Sequence, residues 1–557
     1  MKLSADFDQA VSLYKKSVGI VSLFSFLANL SFLAMPLFMM NTYRTVIPAK
    51  STPTLFALLA LVLVIMGAYY FLEKARTIIL SKAALRFEAD LMGLVMAAEL
   101  NHNKQSSIQS INDIQALRVH LSSSVVMSAF DLMTVPIFLF IIFYIHIGAG
   151  LVLMASIIFL SYLAIKGNAK TSPLIDLSRE KNIESQKVLE SFARSQENVK
   201  SMGMYKEAIA EYGAKHNEAI KTQIEMVEIQ SKTSSLSKAM RQVVQILLVF
   251  TGAMLVLEGG ASMGVVFAMV IIGGRAIGPV EALVGNWRQV VLIKTTYNKL
   301  KDRLSELELP EKSTLLPVPK GFVRLKQVYY APEGVSDPIL VKLQHLFESG
   351  TVTAVLGNNG AGKSTLAKVI VGYIKPSAGH ATLDDQEISS WDPVLKGFYM
   401  GYMPQKVTFF NGTVRDNIAR LRKDDPDHFA IDAAKFAGVH DMIMRLPKGY
   451  DTVLGDFGMN LSGGQAQLLA LARAVYTKPK VLVLDEPNAA LDGVGEQILM
   501  ACIEKCKKEN MTVIVVTQRP GLLKVADEML VMQSGRIVKS GPVTDTMSSG
   551  NIMIEKK

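Results

Sequence analysis

The run Gly357-Asn358-Asn359-Gly360-Ala361-Gly362-Lys363-Ser364-Thr365 is the part of this sequence best suited to chemistry. It fits the pattern G-x-x-x-x-G-K-[ST]. Its glycines let the backbone wrap so that successive N–H groups face phosphate oxygens, and the following helix offers its positive end. Lys363 can bridge two phosphates, and the Ser364 hydroxyl can ligate Mg²⁺. Further on, the apolar run Val481-Leu-Val-Leu484 ends in Asp485-Glu486-Pro487. Asp485 is placed to hold Mg²⁺ through water, and Glu486 to polarise an attacking water. Between them, Leu461-Ser462-Gly463-Gly464-Gln465 precedes a helical run. Ser462 can cap that helix, and the two glycines permit close approach of an anion. Alone, an acidic strand end is a common solvent-facing feature, and a Ser-Gly-Gly turn is only a loop. The phosphate loop upstream gives both more weight.

Such groups need a sheet to hold them. A strand-like run, 351–356, leads into the phosphate loop, and from residue 321 onward β-rich and helical segments alternate. That alternation is the mark of an α/β domain.

The rest of the chain is different in kind. Of 557 residues, 50% are apolar and 19% charged, and mean hydropathy is +0.28. The net charge is nevertheless +10, from 59 basic against 49 acidic residues. These figures exclude a disordered or collagen-like chain, and two cysteines exclude a disulfide scaffold. Six apolar runs approach or exceed the length that crosses a bilayer: 18–40, 54–72, 125–146, 147–165, 243–257 and 263–284. The first carries no charge and lacks a small-residue cleavage site, so it reads as a retained anchor. Of the loops between these runs, the two long ones carry most of the bases, among them Lys74, Arg76, Lys82, Arg86, Lys104 and Arg118 in the first. Basic residues gather on the cytoplasmic side, which places both loops, both termini and everything after residue 285 there. The same bias accounts for the +10 without a nucleic-acid partner. Segment 176–240 has helical spacing and no proline, so spans four and five are expected to extend beyond the membrane. The expected domains are a transmembrane domain at 1–303, a linker at 304–320 with Pro310, Pro317 and Pro319, and a nucleotide-binding domain at 321–557.

Phosphate loop, Leu-Ser-Gly-Gly-Gln and Asp-Glu strand end, in that order, resemble an ABC-transporter nucleotide-binding domain over about 321–545. The resemblance implies an α-helical six-span transmembrane domain of the ABC exporter type fused to an α/β P-loop domain. It assigns Tyr330 to stacking on adenine, although a strand tyrosine alone reads more simply as core. It assigns Gln405 to Mg²⁺ and to sensing the membrane domain, and Asp492 to the loop after the Asp-Glu strand. It implies a homodimer in which each ATP lies between one protomer's phosphate loop and its partner's copy of 462–464. One departure matters. The family's usual histidine after strand 512–517 is Gln518 here. A glutamine amide can donate to a phosphate but cannot take a proton or carry charge, so slow hydrolysis is expected. The segment around Asp456 also departs from the family's usual Glu-Arg pattern.

Finer resemblances point to type I secretion ABC transporters of the PrtD kind. Tyr43-Arg-Thr-Val-Ile-Pro48, Asn198-Val-Lys-Ser-Met-Gly-Met204, Gly273-Gly-Arg275-Ala-Ile-Gly-Pro279 and Phe410-Asn-Gly-Thr-Val-Arg-Asp-Asn-Ile-Ala419 each resemble that family. The implied activity is ATP-driven export of unfolded polypeptides with C-terminal signals across a bacterial inner membrane. The implied partners are a periplasmic membrane-fusion adaptor and a TolC-like outer-membrane channel. The stretch before Val18 is too short for the peptidase-like domain of some relatives. Turns near 106–117 and 198–205 are expected to pass motion between the domains. Asp131 and Arg275 are charges inside apolar spans, and they read either as a pair with each other or as contacts along a substrate path. Cys502 and Cys506 lie four apart with no further ligand nearby, which suits two reduced thiols better than half a metal site. Two other functions compete: a lipid or small-peptide exporter, and a nucleotide-gated scaffold that hydrolyses weakly.

Overall fold

The computed structural model describes residues 3–101, 109–306, 316–332, 334, 337–455 and 458–548. The chain divides into two compact units, Met1–Leu309 and Pro310–Lys557.

The first unit is helical. Among the described residues, six helical segments are long and apolar enough to cross a membrane. The first span breaks between Leu3–Ser31 and Ala34–Asn41, then tightens into one π-helical turn at Thr42–Val46. The second runs unbroken from Thr52 to Asn101. Spans three and four, Ser124–Ile145 and Ile147–Arg194, are separated only by His146. That residue is extended, and its ring nitrogen accepts the Ala149 N–H at 3.2 Å, capping the second helix. Helices Ile147–Arg194 and Tyr205–Leu257 hold 48 and 53 residues. At about 1.5 Å per residue each is more than twice the hydrocarbon thickness. Pro173 sits inside the first of them without ending it. The last span, Met263–Gly285, packs against Ala34–Asn41 so closely that a Cβ on Gly264 would lie 2.7 Å from the Met39 carbonyl oxygen. Helix Trp287–Glu306 follows. The turn expected near 106–117 is described only from helix Gln109–Leu121 onward, residues 102–108 lying outside the described residues. The one near 198–205 contains helix Gln196–Ser201 and a turn through Gly203, whose φ is +69°.

The second unit carries twelve strands among the described residues. They are β1 (Val323–Tyr330), β2 (Leu340–Phe347), β3 (Val352–Gly357), β4 (Ala378–Leu383), β5 (Gln386–Glu387) and β6 (Met400–Met403). There follow β7 (Gly412–Thr413), β8 (Val453–Leu454), β9 (Val481–Asp485), β10 (Thr512–Val516), β11 (Glu528–Gln533) and β12 (Arg536–Pro542). One sheet has the order β2-β1-β4-β5 and is antiparallel. The larger has the order β12-β11-β3-β10-β9-β6, parallel except at β12. Strands β9 and β10 are buried throughout, as their unbroken apolar runs require when both faces of a parallel sheet are covered.

Candidate nucleotide site

Ligands of open α/β sheets bind beyond the carboxyl ends of the parallel strands. Four adjacent strands, β3, β10, β9 and β6, bring the predicted residues to that edge in a fixed order. The phosphate loop follows β3, Gln518 follows β10, Asp485 and Glu486 end β9, and Gln405 follows β6. Parallel pairing sets Val516 opposite both Val355 and Asp485, so the three strand ends are level.

The loop closes through glycine. Gly362 has φ +92° and caps helix Lys363–Ile370, and a Cβ there would lie 2.9 Å from the Leu340 side chain. Lys363 is 5% exposed. Its ammonium donates to the carbonyls of Gly357 and Asn358 at 2.8 and 3.0 Å. Burial lowers its pKa, opposed by Glu486 and Asp485. The Ser364 hydroxyl donates to Asp485 Oδ1 at 3.0 Å. Asp485 is 1% exposed, and burial raises its pKa against that hydrogen bond.

Glu486 is the junction of the site. It sits at φ +50°, a strained conformation for a residue with a Cβ, and its N–H is tied to Val516 O at 2.8 Å. One carboxylate oxygen accepts Gln405 Nε2 at 3.0 Å, and the other accepts Gln518 Nε2. Gln518 Nε2 also reaches Asn359 Oδ1 at 2.7 Å. Asn359, Lys363, Ser364, Gln405, Asp485, Glu486 and Gln518 therefore meet at one strand edge.

Other predicted residues are engaged elsewhere. Ser462 caps helix Gly463–Val475, and it exchanges hydrogen bonds with Gln465 in a capping box. Asp492 caps helix Gly493–Lys508 by accepting the Gly495 N–H at 2.8 Å. Tyr330 pairs with Leu340 at the end of β1 and packs partly buried against the sheet core. Asp456 lies outside the described residues. Cys502 and Cys506 are free and buried on one helix. Sequence reasoning missed Gln467, 6% exposed, which donates to Glu486 O at 3.4 Å and accepts the Ala490 N–H at 2.9 Å. It also missed Arg420, which donates to the carbonyls of Gly397, Arg473 and Ala474. Burial pulls its pKa down to about 10.

The intramembrane charges are arranged differently from a simple Asp131–Arg275 pair. Asp131 Oδ1 accepts Arg76 at 2.6 Å and Asn29 Nδ2 at 2.8 Å. Arg76 also binds Glu73 and Ser25. Arg275 donates to Asn29 Oδ1 at 2.9 Å and lies 4.5 Å from the centre of the Phe32 ring. One asparagine thus stands between acid and arginine. By sequence Arg76 counts among the bases of the first long loop, not among the intramembrane charges. The uncharged Asn29 in the first span was the available clue, since an amide among apolar residues demands a partner.

Two family patterns match the chain: ABC transporter at residues 340–489, and ABC transporter transmembrane region at 18–274. Among characterised relatives, the type I secretion system ATP-binding protein PrsD of Rhizobium meliloti (strain 1021) is 33% identical over 94% of this chain and 90% of its own. The chain belongs to the type I secretion ABC transporters. This transporter is also 26% identical to the alpha-hemolysin translocation ATP-binding protein HlyB of Escherichia coli O157:H7, over 94% of the chain and 75% of that protein. Its fold matches the structure of a bacterial Atm1-family ABC exporter with ATP bound, with a TM-score of 0.83, 20% identity and 97% coverage of both chains. It is a multi-pass membrane protein with an ATP-binding domain.

Proposed function

We propose that this chain is the ATPase and permease of a bacterial type I secretion apparatus, exporting unfolded polypeptides that carry a C-terminal signal. The observation that carries the reading is likeness to a type I secretion protein across both the membrane unit and the nucleotide unit. The basic long loops support an inner-membrane protein with its nucleotide unit in the cytoplasm. A homodimer supplies two ATP sites, each completed by the partner's copy of 462–464. A membrane-fusion adaptor and a TolC-like channel carry the substrate onward. Co-expression with adaptor, channel and a candidate substrate tests this. The substrate should reach the medium only when the chain is present and only with its C-terminal segment intact. Export indifferent to that segment would favour the lipid or small-peptide reading.

The nucleotide chemistry follows from the residues at the strand edge. Main-chain N–H groups of 358–365 cradle the phosphates, and Lys363 leaves its two carbonyl partners for phosphate oxygens. Ser364 Oγ and Asp485, already hydrogen-bonded to each other, offer the hard oxygen donors that suit Mg²⁺, with Gln405 beside them. Bound there, Mg²⁺ would neutralise phosphate charge. Glu486 orients the attacking water, and Gln518 donates toward the γ-phosphate.

Gln518 cannot supply the charge that an imidazolium places on the transferring phosphate. The Gln518→His variant should therefore raise steady-state ATPase activity several-fold, measured by phosphate release from purified protein. No gain would remove the explanation for slow hydrolysis.

Arg275 and Asp131 belong to the proposed substrate path. Asp131 Oδ1 accepts from both Arg76 and Asn29, whereas Arg275 is held by one neutral amide and a ring. Arg275 is thus the group able to exchange a weak contact for an acidic side chain in transit. Arg275→Ala should lower secretion several-fold and Arg275→Lys much less. Undiminished secretion by the alanine variant would exclude Arg275 from the path.

A further inference from the structure

Glu486, Gln518 and Asn359 fix one another's orientation in sequence. An ionised carboxylate only accepts hydrogen bonds. Gln518 must therefore turn its NH₂, not its oxygen, toward Glu486 Oε1. The same nitrogen lies 2.7 Å from the Asn359 side chain, so Asn359 must present its oxygen. Both donors of the Gln518 amide are then engaged, one by the residue beside the attacking water and one by the phosphate loop itself. Gln405 holds the other Glu486 oxygen at 3.0 Å, which keeps the carboxylate from rotating away.

We infer that Asn359 is a positioning residue for hydrolysis, acting through Gln518: it holds one N–H of the glutamine amide, leaving the other to pass from Glu486 to the γ-phosphate when nucleotide binds. The need arises from this chain's own composition. A primary amide has a donor end and an acceptor end, and a half-turn about its terminal bond would aim an oxygen at phosphate. Asn359 lies in the phosphate loop, between Gly357 and Gly360, so it keeps the amide in register with the bound phosphates. This inference rests on the reading of the site as an ATPase.

A double-mutant cycle tests it on the full-length protein in detergent or nanodiscs: unmodified, Asn359→Ala, Gln518→His, and both together. Phosphate release gives kcat and KM, and equilibrium binding of radiolabelled ATP gives affinity. In the unmodified background, Asn359→Ala should lower kcat about fivefold, the worth of one hydrogen bond, with ATP affinity changed less than about twofold. In the Gln518→His background the same substitution should change kcat less than about twofold. Equal losses in both backgrounds, or a loss carried by ATP affinity, would mean that Asn359 only shapes the loop or binds nucleotide, and would overturn the inference. No loss in either background would overturn it too. A protein without Lys363-dependent hydrolysis, in both the unmodified and Gln518→His forms, would instead overturn the ATPase reading and this inference with it.

Discussion

Lys363→Ala should bring ATP hydrolysis down by about 10² or more, the scale found when one preorganised charge is removed from a transition state. The residue is almost fully enclosed, and its ammonium rests on two carbonyls of its own loop. Those carbonyls are neutral acceptors. Phosphate oxygens are charged and form stronger bonds to an ammonium. On the proposed reading the side chain exchanges these carbonyls for the β- and γ-phosphates with little reorganisation. Burial has lowered its pKa, which marks an ammonium poorly solvated by water and so more responsive to an arriving anion. Alanine also frees the Gly357 and Asn358 carbonyls to face the phosphates, which compounds the loss. Phosphate release from purified protein measures the effect, and secretion of a co-expressed substrate should fall with it. Substantial residual turnover in the alanine variant would mean that hydrolysis does not use this loop.

Asp131→Ala should destabilise the membrane unit by about 3 kcal/mol, because a buried cation is left without its main partner. The Arg76 side chain is 6% exposed and that of Asp131 15%. Removing the carboxylate strips Arg76 of its 2.6 Å contact and frees Asn29, the single link to Arg275. Glu73 remains on Arg76, but its side chain is 37% exposed and encloses the cation less than Asp131 does. Thermal unfolding of the detergent-solubilised protein should show the loss as a fall of several degrees in Tm. The cost comes from the stranded cation rather than from the missing bond. Combining Asp131→Ala with Arg76→Leu should thus recover part of the stability, and strictly additive losses would refute the account.

Much of the nucleotide site was legible because each part carries its own local chemistry. A glycine-rich loop ending in Lys363 and Ser364, and an apolar strand ending in Asp485 and Glu486, state their ligand class through residue type and spacing alone. Even the role of Ser462 as a helix cap was readable, since capping is decided within one turn. The apolar spans were equally plain, because bilayer crossing is a property of composition over a window.

Contacts between distant segments were a different matter. That Gln518 shares one nitrogen between Glu486 and Asn359 depends on β10 lying between β3 and β9 in the sheet. Strand order is a long-range fact, and the residues joined are 32 and 159 positions apart. The partner of Asp131 was likewise hidden. Arg76 and Asn29 lie 55 and 102 residues away, on two other helices, and only helix packing decides which cation meets the acid. By itself the sequence determined the ligand class, the membrane spans and the family resemblance, since each is written in a local pattern. The tertiary structure decided which charges neutralise one another and which amides hold the carboxylate of Glu486, since those depend on where separate segments come to rest.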